Sequence, residues 1–172
     1  MVYYLIGFMG SGKSTVGRKL AKRLNCPFFD TDRMIEERFN LPEYEIIQKY
    51  GFSLYQQTEV EIIRELQSLN DGVVSCGGDL PCNSDNMKRI NMHGVSIYIQ
   101  MSPKSLSIRL FNARKKRAQI EHYIQNLETL EQFVENQLQS HERYFLQAHL
   151  QIKGENLQIE NLVKVILGYN QN

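Results

Sequence analysis

Residues Gly7, Phe8, Met9, Gly10, Ser11, Gly12, Lys13 and Ser14 satisfy the spacing G-x-x-x-x-G-K-[ST] at every fixed position. This spacing demands a glycine-permitted turn between a strand and a helix, because successive backbone N–H groups converge on an anion only where the chain curls at a helix start. The flanks agree. Val2 to Ile6 is a β-prone apolar run, and Thr15 to Leu24 places Val16, Leu20 and Leu24 on one helical face. In such a loop the lysine neutralises β- and γ-phosphate charge and the serine hydroxyl supplies an oxygen for Mg2+. The chemistry implied is nucleotide binding.

The rest of the chain alternates β-prone runs with helical stretches, the sequence form of a parallel sheet covered on both faces. Phe28 and Phe29, ending in Asp30, read as the second strand. Tyr55 to Leu69 carries Ile62, Ile63, Leu66 and Leu69 at helical spacing, and Asp71-Gly72 then turns into a third strand, Val73 to Cys76. Val95 to Met101 is the fourth, followed by Ser102 as a cap and Pro103 as the first residue of a helix. Leu150 to Ile152 reads as the last strand, before a closing helix from about Ile159 to Leu167.

At 172 residues with 42% hydrophobic side chains, the chain suits one compact domain. A net charge of +1 and the lack of any long block of like charges argue against nucleic acid as a partner. No apolar run approaches the roughly 18 residues of a membrane helix, and the phosphate loop interrupts the N-terminal run too early for a signal peptide. Cys26, Cys76 and Cys82 are odd in number and lack zinc spacing, which suits reduced thiols. The expectation is a cytoplasmic monomer acting on a small molecule, with no membrane partner.

One stretch behaves differently. Arg109, Arg114, Lys115, Lys116 and Arg117 fall within nine residues, followed by Gln119, Glu121, His122 and Gln125 with little apolar periodicity. It reads either as a solvated helix face or as a lid that brings arginine to the γ-phosphate and excludes water on closure.

Taken together, GFMGSGKST at Gly7 to Thr15 and FFDTDRMIEERF at Phe28 to Phe39 resemble the shikimate kinase family, in the nucleoside monophosphate kinase group. Weaker matches are Gly51 and Glu59 in GFSLYQQTE, the strand end VVSCGGD at Val73 to Asp79, and Leu106-x-x-Arg109-Leu110. The resemblance implies a P-loop NTPase-type α/β three-layer sandwich, with a five-stranded parallel sheet in the order 2-3-1-4-5 and a mobile lid over about 112–126. It implies transfer of phosphate from ATP to a hydroxyl of a small acceptor, by default shikimate. Gly10, Ser11, Gly12, Lys13, Ser14 and Thr15 would then cradle ATP. Ser14 would hold Mg2+ directly and Asp30 through water. Arg109 would lie against the adenine, Arg117 would meet the transferring phosphate from the lid, and Asp32, its pKa kept low by nearby Mg2+ and Lys13, would orient the acceptor hydroxyl more than act as a strong base. Gly77 and Gly78 would border the acceptor.

The acceptor half departs from the family pattern. Gln56 stands three residues before Glu59, where the family has arginine, and Asp79 replaces the third glycine of a Gly-Gly-Gly run. The lid's Arg-Pro-Leu-Leu becomes Arg117, Ala118, Gln119 and Ile120. The Arg-x-Pro-[LF]-Tyr motif aligns with His141 to Phe145, so His141 takes the arginine's place while Arg143 stands two residues on. Each charged hydrogen bond to a carboxylate is worth about 1.5–3 kcal/mol, so two losses weaken an anionic acceptor about a hundredfold or more. Three readings stay open: Arg143, Arg33 or Lys49 takes over the carboxylate; the acceptor is a neutral polyol or another hydroxy acid; or the chain binds nucleotide without transfer. A nucleotide acceptor would want more arginines, not fewer.

A ligand that binds only the folded state stabilises it by mass action. MgATP or MgADP is therefore expected to raise the melting temperature, and Lys13→Ala to abolish most of that rise. A wild-type melting curve unmoved by saturating nucleotide would refute the reading of the loop.

Overall fold

A computed structural model describes residues 1–115 and 117–169, so Lys116 of the basic stretch lies outside the described residues. Five strands, β1 (Val2–Ile6), β2 (Phe28–Asp30), β3 (Gly72–Ser75), β4 (Val95–Gln100) and β5 (Leu150–Lys153), form one parallel sheet in the order β2-β3-β1-β4-β5. This is the expected order. It puts β1 at the centre, and every residue of β1 is buried. Tyr3 and Leu5 face one core and Val2, Tyr4 and Ile6 the other, so the strand is a continuous apolar run instead of an alternating one.

Between the strands run α1 (Lys13–Leu24), α2 (Thr31–Phe39), α3 (Glu43–Tyr50), α4 (Phe52–Leu66), α5 (Asn86–His93), α6 (Pro103–Phe111), α7 (Leu127–Phe145) and α8 (Ile159–Tyr169). Helices α1 and α8 cover the Tyr3 and Leu5 face through Leu20, Ala21, Leu162, Val163 and Ile166. The opposite, larger core takes Ile62, Ile63 and Leu66 of α4, Ile90 of α5, and the stripe Leu130, Val134, Leu138 and Phe145 of α7. That stripe, i, i+4 from Leu130 to Leu138 and then i+7 to Phe145, holds this long helix on the sheet, and Asn126 caps it by accepting from the Glu128 and Thr129 amides.

Some boundaries differ from the sequence reading. Helix α1 begins at Lys13, two residues early, because the loop's last glycine, Gly12, already sits at φ 92° and frees the next residue to enter the helix. Helix α4 spans Phe52–Leu66, three residues earlier at both ends than expected, starting directly after Gly51 at φ 85°. Strands β3 and β4 stop one residue short of the expected ends, and β5 runs one further. Ser102 and Pro103 open α6 as expected, Ser102 Oγ accepting from the Ser105 amide at 3.2 Å. No described helix is long and apolar enough to cross a membrane.

The join between α5 and β4 leaves no room for a side chain. A Cβ at Gly94 would collide with the backbone carbonyl of Val2 on the central strand. Gly94→Ala is expected to destabilise the fold by about 1–3 kcal/mol, read as a lower denaturant midpoint. An unchanged midpoint would show that β1 and β4 can part there freely.

Candidate active site

The parallel sheet ends its strands on one edge, and the residues beyond β1, β2 and β3 meet there. A cleft of about 1110 Å³ opens above them. Beyond β1, the loop at Gly7 to Gly12 turns through Gly10 at φ 81° and Gly12 at φ 92°, values an L side chain rarely adopts. Helix α1 has no side-chain cap. Its first N–H groups remain available to an anion, reinforced by the positive end of the helix dipole. Lys13 lies buried beneath the loop, its Nζ donating to the carbonyls of Gly7 at 2.8 Å and Phe8 at 2.9 Å. Burial lowers its pKa to about 8, against the pull of Asp32, Cys76 and Asp30. Ser14 Oγ stands 3.2 Å from Ser75 Oγ at the end of β3.

Strand β2 delivers two carboxylates in quick succession. Asp30 ends the strand and caps α2, accepting from the Arg33 amide at 3.4 Å. Asp32 is in the first turn of α2 and half-buried, receiving a long bond from Tyr55 Oη at 3.5 Å. The expected low pKa of Asp32 does not hold: burial raises it to about 7, helped by the negative charge of Glu43 and opposed by Lys115. Between the two carboxylates, Thr31 Oγ1 accepts from the Gly77 amide at 2.8 Å and so ties the end of β2 to the end of β3. Gly77 lies close under Asp32: a Cβ there would stand 2.5 Å from Asp32 Oδ1 and displace that carboxylate. Gly78 likewise lies against Met9 of the phosphate loop, where a Cβ would approach the Met9 amide to 3.0 Å.

A smaller cavity of about 30 Å³ shares Met9, Asp32, Glu43, Gly78 and Arg117 with the cleft and adds Tyr55, Glu59, Asp79 and Gln119. Four carboxylates thus face one small space. Glu59 is buried, with Asn83 Nδ2 at 3.5 Å from its carboxylate. Burial, then Asp79 and Asp32, push its pKa well up. Asp79 is also raised, chiefly by burial, while its neighbour His141 pulls it down; the imidazole, 3.8 Å away, is itself lowered by burial.

The segment 112–126 has, in its described residues, only a 3-10 turn at Ala118–Ile120 in place of a solvated helix. It docks across the cleft onto α2 and α3. Lys115 Nζ pairs with Glu43 at 3.1 Å and Glu36 at 3.5 Å, Gln119 Nε2 donates to Glu43 Oε1 at 3.4 Å, and Tyr44 Oη donates to Glu121 at 2.7 Å. Ile120 is buried under the segment, and Tyr123 stacks on Phe133 of α7 at 4.3 Å. These contacts carry Arg117 into both cavities.

The structure therefore gathers Gly10, Gly12, Lys13, Ser14, Thr15, Asp30, Asp32, Gly78, Arg109 and Arg117 around one cleft. Ser11 belongs to the same loop, and its carbonyl accepts from Arg109 Nη1 at 3.3 Å. Asp79 lines the small cavity, and His141 stands behind it. Gln56 and Arg143 line neither space. Gln56 uses its carbonyl to accept from Asn83 Nδ2 at 2.7 Å, and Arg143 is exposed, its guanidinium 4.8 Å from the centre of the Tyr144 ring. Of the other bases considered, Arg33 reaches the cleft and Lys49 stands over Tyr50 outside it. Glu43 was missed by sequence reasoning. Its helix start after Pro42 was readable, but its partner Lys115 lies far along the chain, and no local pattern joins them.

A strand, a phosphate loop, an uncapped helix and a docked basic segment define a phosphate-loop kinase fold. The family model for shikimate kinase matches residues 9–168. A shikimate kinase of Bacteroides fragilis is 38% identical over 114 residues, 66% of this chain and 64% of that protein, so the match spans just under two thirds of that relative's length. The crystal structure of shikimate kinase from Bacteroides thetaiotaomicron superposes with a TM-score of 0.90 at 29% identity, covering 100% of this chain and 99% of that one. Shikimate kinase from Acinetobacter baumannii, solved in complex with shikimate, gives a TM-score of 0.88 at 25% identity over 99% of this chain and 95% of that one. The chain belongs to the shikimate kinase family.

Glu59 ionises near 4.5 in an unfolded chain but only at much higher pH in the fold. The folded state holds that proton more tightly, so this contribution to stability is complete below about 4.5 and is lost as pH rises toward the folded value. Glu59→Gln is expected to raise the urea midpoint at pH 8 and to flatten the decline on the alkaline side. A midpoint at pH 8 equal to or below wild type would contradict a strained, desolvated Glu59.

Proposed function

We propose that the protein transfers the γ-phosphoryl group of ATP to a hydroxyl of shikimate, with residues 1–172 acting as one domain and the segment 112–126 as its lid. The observation that carries this reading is the convergence of Lys13, Asp32 and Arg117 on one cleft beside an uncapped helix start, in a chain of the shikimate kinase family. Phosphoryl transfer needs alignment and charge neutralisation more than covalent help. In this reading Gly10 to Thr15 wrap the phosphates, and Lys13 leaves the Gly7 and Phe8 carbonyls to meet β- and γ-oxygens. Their negative charge restores the ammonium that burial disfavours. Arg109 supports the base and Arg117 meets the transferring group.

Ser14 Oγ and the Asp30 carboxylate, both hard oxygen donors lining the cleft, fit Mg2+. No cluster of three or more His, Cys, Asp or Glu capable of holding a metal exists among the described residues, so nucleotide oxygens and water would complete the shell. Bound there, the ion would neutralise phosphate charge. Asp32 orients the attacking hydroxyl, and with its pKa raised to about 7 it is able to take that proton near neutral pH.

The acidic small cavity supports a second reading, a neutral polyhydroxylated acceptor. Asp79 occupies it, while Gln56 and Arg143 stay outside. A carboxylate brought beside Asp79 meets like charge.

A coupled assay of ADP release against shikimate and a panel of neutral polyols tests both. On the first reading, shikimate turns over with a KM in or above the millimolar range. The combined change Gln56→Arg, Asp79→Gly and His141→Arg improves its use at least ~10-fold, about the worth of one charged hydrogen bond. Micromolar shikimate handled efficiently by wild type would mean that another base grips the carboxylate. A polyol preferred over shikimate would establish the second reading.

A further inference from the structure

The lid residue Gln119 holds its side chain in an arrangement that no described residue completes. Its Nε2 donates to Glu43 Oε1 at 3.4 Å, and the same amide stabilises the charged form of Asp79. With Nε2 donating to Glu43, the amide cannot flip without setting its oxygen against that carboxylate. Oε1 is thereby fixed, and it is wholly buried with no donor reaching it from the described residues. Gln119 lines the small cavity beside Asp32, Glu59 and Asp79. A buried acceptor left unpaired is unfavourable, and the rarity of such atoms makes each a pointer to a missing partner.

We propose that Gln119 is a specificity-determining residue that accepts a hydrogen bond from a hydroxyl of the phosphoryl acceptor. The assignment rests on the kinase reading above and adds the class of group recognised. The wall is rich in acceptors: Gln119 Oε1 and the Asp32 and Asp79 carboxylates, with Tyr55 Oη already directed at Asp32. A ligand that satisfies such a wall must present several O–H donors, as a polyhydroxylated ring does. Because Gln119 sits two residues beyond Arg117, one docking of the segment would set the phosphate-facing guanidinium and the hydroxyl-reading amide together. Substrate selection would thus be coupled to closure.

Gln119→Leu removes the amide at similar volume. Steady-state kinetics with the acceptor that wild type turns over, shikimate or a neutral polyol, should show the acceptor KM raised five- to tenfold and the ATP KM changed less than twofold. Calorimetry with MgADP present should show one monodeoxy analogue of that acceptor binding wild type five- to tenfold more weakly than the parent, and binding Gln119→Leu no more weakly than the parent does. That last equality is a result a merely structural role would not produce. An acceptor KM within twofold of wild type, or the same loss for every analogue in both proteins, overturns the assignment while the kinase reading stands. Equal weakening of ADP and acceptor in Gln119→Leu would show a disturbed lid and overturns it too. If wild type neither binds nor phosphorylates any polyhydroxylated acceptor, the kinase reading falls and the role of Gln119 falls with it.

Discussion

Two hydrogen bonds from one buried ammonium organise the site. With Lys13 donating to Gly7 and Phe8, the phosphate loop is closed on itself before any ligand arrives. The loop is anchored at one end by β1, buried on both faces, and at the other by α1, whose Gly17 lets Phe28 and Leu5 pack tightly against the helix axis. Anchoring by β1 and α1 lowers the ordering cost of binding. The loop also keeps a positive charge where burial disfavours it, an imbalance that an incoming polyphosphate corrects.

Around that centre the protein sets charge against solvation. The same short strand end supplies a carboxylate that caps a helix, Asp30, and one pushed toward neutrality, Asp32. Their environments differ although one residue separates them. Asp30 accepts from a backbone amide, whereas Asp32 faces the carboxylates of Glu43, Glu59 and Asp79 across a small space. Asp79 and His141 extend the pattern: burial disfavours the charge on each, and their proximity restores part of it.

Most of the fold could be read from the residues because its signals are local. The loop spacing, the apolar runs of β1, β3 and β4, and the Ser102-Pro103 start carry their own physics within a few residues. The sheet order rested on the family resemblance, since periodicity says nothing of which strands pair. The nucleotide half of the site was readable for the same local reason: its glycines, Lys13 and Ser14 are contiguous. The acceptor half was not. It is assembled from α2, α3, α4, the turn after β3 and the segment 112–126, and side-chain direction decides which residues face inward. Gln56 and Arg143 were aligned with pocket positions yet line neither cavity, whereas Glu43, with no motif to mark it, is the group on which Lys115 and Gln119 both converge.

That convergence carries a consequence for how this sequence can drift. Glu43 is at once a wall of the small cavity and the anchor of the segment 112–126. Replacing it alone strands the Lys115 ammonium beside Glu36 only and removes a carboxylate that holds the Gln119 amide in place. Variation at position 43 is therefore tied to variation at 115 and 119, although 72 and 76 residues separate the partners. Among relatives, these three positions should change as a set, and substrate preference should change where they do.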